Sequence, residues 1–341
     1  MRRVALITAV LFLILTIITV AACNGRESLF FLQQNKAPEF VFRYAENQAA
    51  DYPTTLGAYR FAELVRERTE GRIEIVVYHS AQLGSETKVV EQMRFGGIDF
   101  ARVSISILAE FAPGLNALQL PYLYQSDAHM WEVLDGQIGD NCLGFLEEQG
   151  LIGLSWYNAG SRSFYTRVPI NSLEELRGLN IRIQESAAMM ADMIRLLGAN
   201  PVQMVFSEVY SGLRMGRVDG AENNWPSYES TSHYEVARYF YADEHTRVPE
   251  MQLMSKTSME KLSEEDQLIL FECARESALY EREEWSKREL SSEEYVRNYG
   301  VEVVIPSEEE KRKLQDLCKP LYEKYAADYM DIVEQILEKT K

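Results

Sequence analysis

Residues 176–186 read LRGLNIRIQES, and this stretch indicates how the chain folds. Gly178 is a typical stop for the helix before it, because glycine adopts the left-handed conformation that ends many helices. The residues that follow alternate as in a short strand, with Ile181 and Ile183 on one face and Arg182 on the other. A helix that ends at a glycine and leads into a buried strand is typical of an α/β protein.

Arg182 is the residue of this stretch that needs a partner. A guanidinium at mid-strand between two β-branched residues has little freedom, and it requires an anion opposite it. Its planar fork matches a carboxylate with two parallel hydrogen bonds, each worth about 1.5 to 3 kcal/mol. Two interpretations follow from the residues alone: an internal salt bridge to an Asp or Glu, or a site for the carboxylate of a ligand.

The whole chain is long enough for two domains and is strongly acidic. It has 341 residues, of which 46% are hydrophobic, and its formal net charge is −17. A nucleic-acid partner requires a basic face, which the sequence lacks, so no nucleic acid is expected. A small anion remains compatible with this charge if a few Arg side chains are focused in a cleft.

The N-terminus predicts export and anchoring. Residues 1–23 combine two early arginines, an apolar run over 4–20 and the ending VAAC at 20–23, which is typical of a bacterial lipoprotein signal peptide. Cleavage before Cys23 would leave a lipidated N-terminal residue, and residues 24–38 would form a tether. The alternative is an uncleaved membrane helix, since the apolar run is nearly long enough to span a bilayer. Both alternatives place the remaining chain outside the cytoplasm, at the cell surface or in the periplasm.

Strands and helices alternate from residue 39 onward, which predicts parallel sheets covered by helices. A first run over 39–158 and a second over 159–223 have similar sizes, so we expect two sheets, in domains joined by strands that cross over. The charged segment 263–297 opens on an N-capping serine and predicts one helix about 50 Å long, which would brace both domains. A last amphipathic helix is expected over 307–338.

Motifs of catalysis and of metal binding are missing from the sequence. It contains no GxSxG, no phosphate-binding loop, no dinucleotide fingerprint and no HExxH. The four histidines are scattered, and each is expected at the surface or at a helix cap: His79, His129, His233 and His245. We therefore expect no catalytic residue, no cofactor and no metal.

Three cysteines follow Cys23 along the chain. They are Cys142, Cys273 and Cys318, and an odd number leaves at least one thiol free in an exported protein. Pairing of Cys273 with Cys318 and three buried free thiols are both open. Their spacings match no metal site.

Polar side chains at strand ends are the candidates for ligand contact, because open α/β sheets bind their ligands there. Arg162 lies in a glycine turn at the expected domain junction, where the alternative is an ion pair across that junction. Asn223 and Asn224 end the strand 218–223 and precede Trp225, in a sequence that stops regular structure and exposes the amides. A plain turn is the alternative for these asparagines.

Three further residues have two possible roles each. The rings of Trp225 and Tyr228 could stack against a sugar face or fill the core, which is the commoner fate of such residues. Glu86 follows a glycine turn, where it could accept hydrogen bonds from ligand hydroxyls. As a first-turn helix residue it could instead only stabilise the helix dipole.

Five short motifs in this order resemble the solute-binding proteins of tripartite ATP-independent periplasmic (TRAP) transporters, the DctP family. The resemblance covers essentially everything after the tether. Each motif is weak alone, but their order and spacing are specific. They are QLGSE at 82–86, FGGIDF at 95–100, LQLPY at 118–122, LRGLNIR at 176–182 and RVDGAEN at 217–223.

The resemblance implies a type II periplasmic binding fold, in which two α/β domains close around a ligand cleft and one long helix spans both. It implies a domain I of residues 39–159 plus about 249–288, and a domain II of residues 160–248 plus about 289–341. It also implies that Arg182 binds the ligand carboxylate with two hydrogen bonds, that Arg162 assists on the same anion, and that Asn223 bonds beside it. The loop 46–53 would supply contacts from the first domain, although many relatives have His where this chain has Tyr52.

The ligand is suggested by a further likeness. The runs ENNWPSYES at 222–230 and EHTRVP at 244–249 are similar to a subgroup that takes sugar acids, hexuronates in particular. The resemblance thus implies a receptor that delivers a monocarboxylate such as glucuronate or galacturonate to a TRAP permease. A C4 dicarboxylate would need a second cation, for which Arg247 is the nearby candidate. An exported enzyme that acts on uronates and a sensory receptor are further alternatives.

Overall fold

The structure is a computed structural model that describes residues 37–339. The predicted signal peptide over 1–23, the lipidation of Cys23 and the tether up to residue 36 lie outside the described residues. Within residues 37–339, no helix is both long enough and apolar enough to cross a bilayer.

Two β-sheets form the two lobes of the molecule. The first sheet has the spatial order β2 (Ile73–Tyr78), β1 (Phe40–Ala45), β3 (Phe100–Ser104), β10 (Glu250–Ser255) and β4 (Leu151–Tyr157). The second has the order β11 (Glu302–Val304), β9 (Tyr239–Arg247), β5 (Ser161–Thr166), β8 (Gly220–Asn223), β6 (Asn180–Ile183) and β7 (Asn200–Gln203). Two sheets of similar size were expected, and this prediction is confirmed.

Twelve α-helices cover these sheets in the described part of the chain. They are α1 (Pro53–Arg68), α2 (Glu86–Arg94), α3 (Ile105–Leu108), α4 (Asp127–Leu134), α5 (Gln137–Leu143), α6 (Ala188–Leu196), α7 (Val209–Arg214), α8 (Trp225–Ser230), α9 (Lys256–Met259), α10 (Glu264–Tyr299), α11 (Glu308–Ala326) and α12 (Met330–Glu338). Short 3₁₀ turns lie at Pro113–Leu118, Gly144–Gln149, Leu173–Leu176, Phe206–Glu208, His233–Glu235 and Ala327–Tyr329.

Both sheets are mixed, so the expectation of purely parallel sheets is wrong. In the first sheet β10 runs antiparallel to its neighbours β3 and β4, and in the second sheet β5 runs antiparallel to β8 and β9. In each case the reversed strand is the one by which the chain enters that sheet from the other lobe. A parallel neighbour in the same sheet requires a crossover connection, and a strand that arrives from another sheet is free of that constraint.

The chain passes between the sheets at two neighbouring places, whereas the sequence had predicted only that strands cross over between the domains. The first crossing, residues 158–160, joins β4 to β5, and the second, residues 248–249, joins β9 to β10. Because β4 pairs with β10 and β5 pairs with β9, the two crossings run side by side. Gly160 in the first crossing has a φ of 58° and packs against Trp285, where an added Cβ would lie 3.1 Å from the indole ring.

Helix α10 spans both lobes, which confirms the predicted brace. It has 36 residues, about 54 Å at 1.5 Å per residue, and the hydroxyl of Ser263 caps its start by accepting from the amide of Asp266. Near its start α10 packs on the first lobe, where Arg68 pairs with Glu276. Near its end Val296 lies in the core of the second lobe.

The C-terminal helix differs from the expected single helix over 307–338. The 3₁₀ turn at Ala327–Tyr329 separates α11 from α12. Val333 and Ile336 of α12 lie in the core of the first lobe, and the imidazole of His129 lies 3.0 Å from the carbonyl oxygen of Ile336. The expected grouping of residues 289–341 with domain II therefore does not describe α12.

The three cysteines of the described region are free and buried. Cys273 lies in a core cluster of the first lobe and Cys318 in one of the second, so the pairing of these two is wrong. Burial raises the pKa of all three thiols, which keeps them protonated and unreactive at neutral pH.

Candidate functional site

A cavity of about 560 Å³ lies between the lobes. Its walls come from the ends of strands in both sheets, including Asn47 after β1, Ser80 after β2, Gln184 after β6 and Asn224 after β8. These are the carboxyl ends of parallel strands, where open α/β sheets bind ligands. The size fits a molecule of roughly monosaccharide to drug dimensions.

Arg182 lies in the wall that the second lobe contributes, and it is 2% exposed. Its Nε and Nη2 donate hydrogen bonds to the carbonyl oxygen of Met204 at 3.0 and 2.8 Å. The guanidinium forms no ion pair with a carboxylate of residues 37–339, so the internal salt bridge is wrong. Burial lowers the pKa of Arg182, an effect that Glu222 opposes from beyond ion-pair distance. The carbonyl fixes one edge of the fork and leaves Nη1 available towards the cavity.

Arg162, unlike Arg182, has an internal partner. Its Nη2 lies 2.9 Å from Glu222 Oε1, its Nε also bonds that carboxylate, and its Nη1 donates to Asn223 Oδ1 at 3.1 Å. Glu222 lies on the neighbouring strand β8, so this ion pair forms within one lobe and not across the junction. Arg162 still lines the cavity, with its charge largely balanced.

Glu222 continues into a buried chain of charges. Its Oε2 lies 3.6 Å from His245 Nε2, and His245 Nδ1 lies 3.0 Å from Asp243 Oδ2. Burial alone would raise the pKa of Glu222, but Arg162 and His245 lower it to about 2. Burial alone would lower the pKa of His245, but Asp243 and Glu222 raise it to about 9. His245 is therefore a buried cation at neutral pH.

Asn223 and Asn224 both line the cavity but are used differently. Asn223 Oδ1 accepts from Arg162, and its Nδ2 makes no hydrogen bond to the described residues. Asn224 caps α8, with Oδ1 accepting from the amide of Ser227 at 2.7 Å and Nδ2 donating to the carbonyl oxygen of Ala159 at 2.9 Å. Asn223 thus offers an amide to the cavity, while Asn224 ties the strand end to the first crossing.

The first lobe contributes a carboxylate wall, which we define as Glu46, Glu86 and Glu250 around Arg102. All four residues are at least 91% buried. Arg102 Nε lies 3.1 Å from Glu46 Oε2, and its Nη1 lies 2.6 Å from Glu86 and 2.8 Å from Glu250. Three carboxylates thus share one guanidinium, and Glu86, Glu250 and Arg102 all line the cavity.

Glu86 is the member of the carboxylate wall that the sequence had predicted. Burial raises the pKa of Glu86 to about 8, with Arg102 opposing the rise and the other two carboxylates adding to it. Burial and Glu46 likewise raise the pKa of Glu250, against Arg102. Burial thus favours the protonated form of Glu86, in which the carboxyl can both donate and accept hydrogen bonds.

Tyr52 joins the two lobes beside the cavity. Its hydroxyl lies 2.8 Å from Ser227 Oγ and 3.3 Å from Asn224 Oδ1, and its ring packs edge-on against Trp285 at 5.8 Å. Tyr52 belongs to the loop 46–53 that was expected to supply contacts from the first lobe. It stands where many members of the resembled family have His, and here it contacts the opposite lobe.

Trp225 and Tyr228 do not lie in the cavity wall, so their interpretation as stacking surfaces is corrected to core packing. Trp225 stacks on Phe240 with ring centroids 3.6 Å apart. The Tyr228 hydroxyl donates to the carbonyl oxygen of Ala237 at 2.6 Å, and both rings belong to the core of the second lobe.

Histidines had been expected at the surface or at caps, which is wrong for His129, His233 and His245 because all three are buried. His233 lines the cavity, and its Nδ1 lies 2.8 Å from the Tyr165 hydroxyl. Burial and Arg182 lower the pKa of His233 to about 3, so it is neutral. Among residues 37–339, no three side chains of His, Cys, Asp or Glu are arranged so that they could hold a metal ion.

Comparison with known proteins places this geometry in a family. The model of the bacterial extracellular solute-binding proteins, family 7 (DctP), matches residues 44–328. A solute-binding protein of Chromohalobacter salexigens is 36% identical over 282 residues, which cover 82% of this chain and 83% of the relative.

Solved structures show the same fold. A TRAP periplasmic solute-binding protein of Bradyrhizobium sp. BTAi1, in complex with α/β-D-galacturonate, matches with a TM-score of 0.84 and 40% identity over 87% of this chain and 99% of that chain. A TRAP periplasmic solute-binding protein of Pseudomonas putida F1 with bound D-glucuronate matches with a TM-score of 0.84 and 33% identity over 87% of this chain and 96% of that chain. The predicted fold class, two α/β lobes around a cleft with a long helix across both, is confirmed.

Proposed function

The chain belongs to family 7 of the bacterial extracellular solute-binding proteins, and from that membership we propose that it captures a hexuronate, such as glucuronate or galacturonate, for a TRAP permease. The resemblance drawn from the sequence motifs is confirmed by the family match and by relatives of 33 to 40% identity. Their bound galacturonate and glucuronate support a hexuronate as the ligand of this chain.

The observation that carries the proposal is Arg182. A buried guanidinium without a carboxylate partner is costly, so it is a strong binding position for an anion that arrives from solution. The Met204 carbonyl leaves Nη1 free, and Nη1 together with the second N–H bond of Nη2 would receive the ligand carboxylate.

The other candidate residues would either contact the ligand directly or position residues that do. Asn223 would donate its free amide to the same carboxylate, and Arg162 would add a partly balanced positive charge beside it. Glu86, as a neutral acid, would bond a ligand hydroxyl from the opposite lobe. Asn224 would act by positioning the strand end, because its side chain is already fully bonded.

Binding would shift the two lobes towards a closed arrangement. Arg182 and Asn223 belong to the second lobe and Glu86 to the first, so only a closed cleft lets one ligand contact all three. A ligand shifts such an equilibrium by its differential affinity for the two states. The lobes would move about the paired crossings at 158–160 and 248–249.

We further propose that capture is not followed by chemistry. The buried acids Glu86 and Glu250 of the cavity wall are engaged with Arg102, and the neutral His233 is bonded to Tyr165. An enzyme acting on uronates would need a base free to approach the sugar. A hexuronate incubated with the purified protein is therefore expected to give an unchanged NMR spectrum.

The sequence of residues 20–23 supports a lipid anchor at Cys23. We propose that this residue is acylated and holds the receptor at the membrane, where the permease lies. In cells that express the full chain, Cys23→Ser should abolish incorporation of labelled palmitate and release the protein from the membrane fraction. Retention at the membrane without label would favour the uncleaved helix instead.

Arg182→Ala should weaken hexuronate binding by at least about 2 to 4 kcal/mol, because the ligand carboxylate would be buried unpaired. Isothermal titration of residues 24–341 with galacturonate and glucuronate measures this loss. Arg217→Ala is the matched control, since Arg217 lies outside the cavity and is more than half exposed. Unchanged affinity in Arg182→Ala would refute the site, and binding of succinate alone would refute the hexuronate.

A further inference from the structure

The two walls of the cavity differ in the charge of their buried side chains. Lys88 of the first lobe, which is exposed, and Glu185 of the second, which is half-buried, also line the cavity. The second lobe presents Arg182, which is 2% exposed and lacks a carboxylate partner. The first lobe presents the carboxylate wall. We infer that the carboxylate wall is a selectivity element, which admits the hydroxyl end of a sugar monocarboxylate and rejects a ligand with a second carboxylate. This inference rests on the proposed function, because it requires the ligand's first carboxylate to lie on Arg182.

Arg102, the cation of the carboxylate wall, has no free N–H donor. A guanidinium has five N–H bonds. In Arg102, Nε and Nη2 bond Glu46, Nη2 also bonds Asn47 Oδ1, and Nη1 bonds both Glu86 and Glu250. All five donors are therefore used, and Arg102 cannot receive a ligand carboxylate without releasing one of its own.

The charge balance of the wall acts in the same direction. Three carboxylates face one guanidinium, so the group is net negative even when one carboxyl carries a proton. The charge of Glu86 acts to raise the pKa of Arg182, and that of Glu250 acts to raise the pKa of Arg162, so the wall affects the arginines of the opposite lobe. A second carboxylate on the ligand would meet this negative group in a site of low dielectric, where like charges repel strongly.

A hydroxyl group meets no such penalty. It donates to a carboxylate and accepts from a neutral carboxyl, so it fits either protonation state of Glu86. The same position thus suits the ring hydroxyls of a hexuronate and excludes the oxidised C1 end of the corresponding aldarate. Galacturonate and galactarate share a carbon skeleton but differ in ring closure as well as in that second carboxylate, because an aldarate cannot form the hemiacetal ring. The change in the ratio of their dissociation constants between the wild type and the wall variants is therefore the deciding measurement.

The test compares dissociation constants for galacturonate and galactarate by isothermal titration at pH 7.5, with glucuronate and glucarate as a second pair. The wild type should bind the uronate at least about 100-fold more tightly than the aldarate, which corresponds to about 2.8 kcal/mol. The double variant E86Q/E250Q keeps the shape of the wall and removes up to two negative charges. It should reduce this ratio at least about tenfold, or 1.4 kcal/mol, chiefly by tighter binding of the aldarate.

The matched control is E147Q/E148Q, which changes the same residue type at two exposed positions outside the cavity and should leave the ratio unchanged. Thermal unfolding of each variant establishes that it is folded, and E250Q alone replaces the double variant if that one does not fold. Two outcomes overturn this inference and leave the proposed function intact. In one, the wild type binds the hexuronate and the aldarate equally well; in the other, the wall variants do not change the ratio of the two dissociation constants. Absence of hexuronate binding in the wild type overturns the proposed function as well.

Discussion

His245 is a buried cation that depends on two carboxylates. Its side chain is fully buried between Asp243 and Glu222, and Glu222 in turn holds Arg162 at the cavity. Removing one partner from a buried ion pair destabilises the protein more than replacing both partners does, because the remaining charge stays desolvated and unpaired. The protonation of His245 therefore bears on both stability and the position of Arg162.

The folded-state pKa of His245, about 9, lies above its ordinary value near 6.5. The stabilisation from its protonation is thus fully present below pH 6.5 and is lost as pH rises through 9, by up to about 3 kcal/mol. Urea unfolding between pH 6 and pH 9.5 should show this loss in the wild type and a smaller loss in His245→Gln. His79→Gln, at a half-buried loop position, is the control and should keep the wild-type slope. Equal slopes in the wild type and His245→Gln would contradict the assignment.

Two arginines show how far a local pattern predicts a role. Arg182 and Arg102 each lie in the middle of a short buried strand, and both positions are visible in the sequence. Arg182 was predicted as a ligand contact from the sequence, and Arg102 was not. The difference between them is set by distant residues, since Glu86 and Glu250 lie 16 and 148 positions from Arg102. No local pattern reveals whether the fold supplies a carboxylate, which is why the carboxylate wall was not foreseen.

The first crossing is an element in which glycine is required. Gly160 has a positive φ, and a Cβ at this position would lie 2.5 Å from Glu289 Oε1 and 3.1 Å from the Trp285 ring. Glu289 has a flexible side chain that can move aside, whereas Trp285 is fully buried and cannot. The crossing is therefore fixed against α10 by sterics as well as by hydrogen bonds.

Gly160→Ala should lower the free energy of unfolding by roughly 1 to 3 kcal/mol from backbone strain, and further from the contact with Trp285. Gly71→Ala is the matched control, because Gly71 also has a positive φ but has no atom within 4 Å of an added Cβ. Chemical denaturation should give a much lower free energy of unfolding for Gly160→Ala than for Gly71→Ala. Equal losses would mean that the contact with Trp285 is unimportant.

Elements that alternate regularly were predicted well, and elements that break the alternation were not. Helix α10 (Glu264–Tyr299) was predicted over 263–297 and extends two residues past that end. The strands β9 and β10 follow each other with no helix between them. They therefore lack the strand–helix alternation from which the other strands were predicted. Their pairing with β5 and β4 is a long-range property, and it produced the mixed sheets.

At the scale of the whole molecule, Tyr52 is a direct polar link between the lobes beside the cavity. Its hydroxyl bonds Ser227 and Asn224 of the second lobe, while its ring stays packed on Trp285. A contact between the lobes that is better formed in the closed arrangement than in the open one stabilises the closed state. The loop 46–53 thus contributes to the equilibrium between the two arrangements.

Tyr52→Phe should weaken hexuronate binding by about 0.5 to 1.5 kcal/mol, the worth of a typical hydrogen bond. Small-angle X-ray scattering of the ligand-free variant should give a larger radius of gyration than that of the wild type. Tyr124→Phe is the control, because the Tyr124 hydroxyl is buried in the first lobe and has no hydrogen-bond partner among residues 37–339. Unchanged affinity and unchanged radius in Tyr52→Phe would remove the link from the mechanism.

The placement of β10 and α12 determines the order in which the molecule can be assembled during synthesis. β10 lies between β3 and β4 in the first sheet, and α12 completes the core of the first lobe from residues 330–338. A ribosome that has reached residue 249 has therefore made most of both lobes and completed the core of neither. We expect the first lobe to remain incompletely folded until α12 has been synthesised. The N-terminal lobe is therefore translated first but is not the first to reach its native fold.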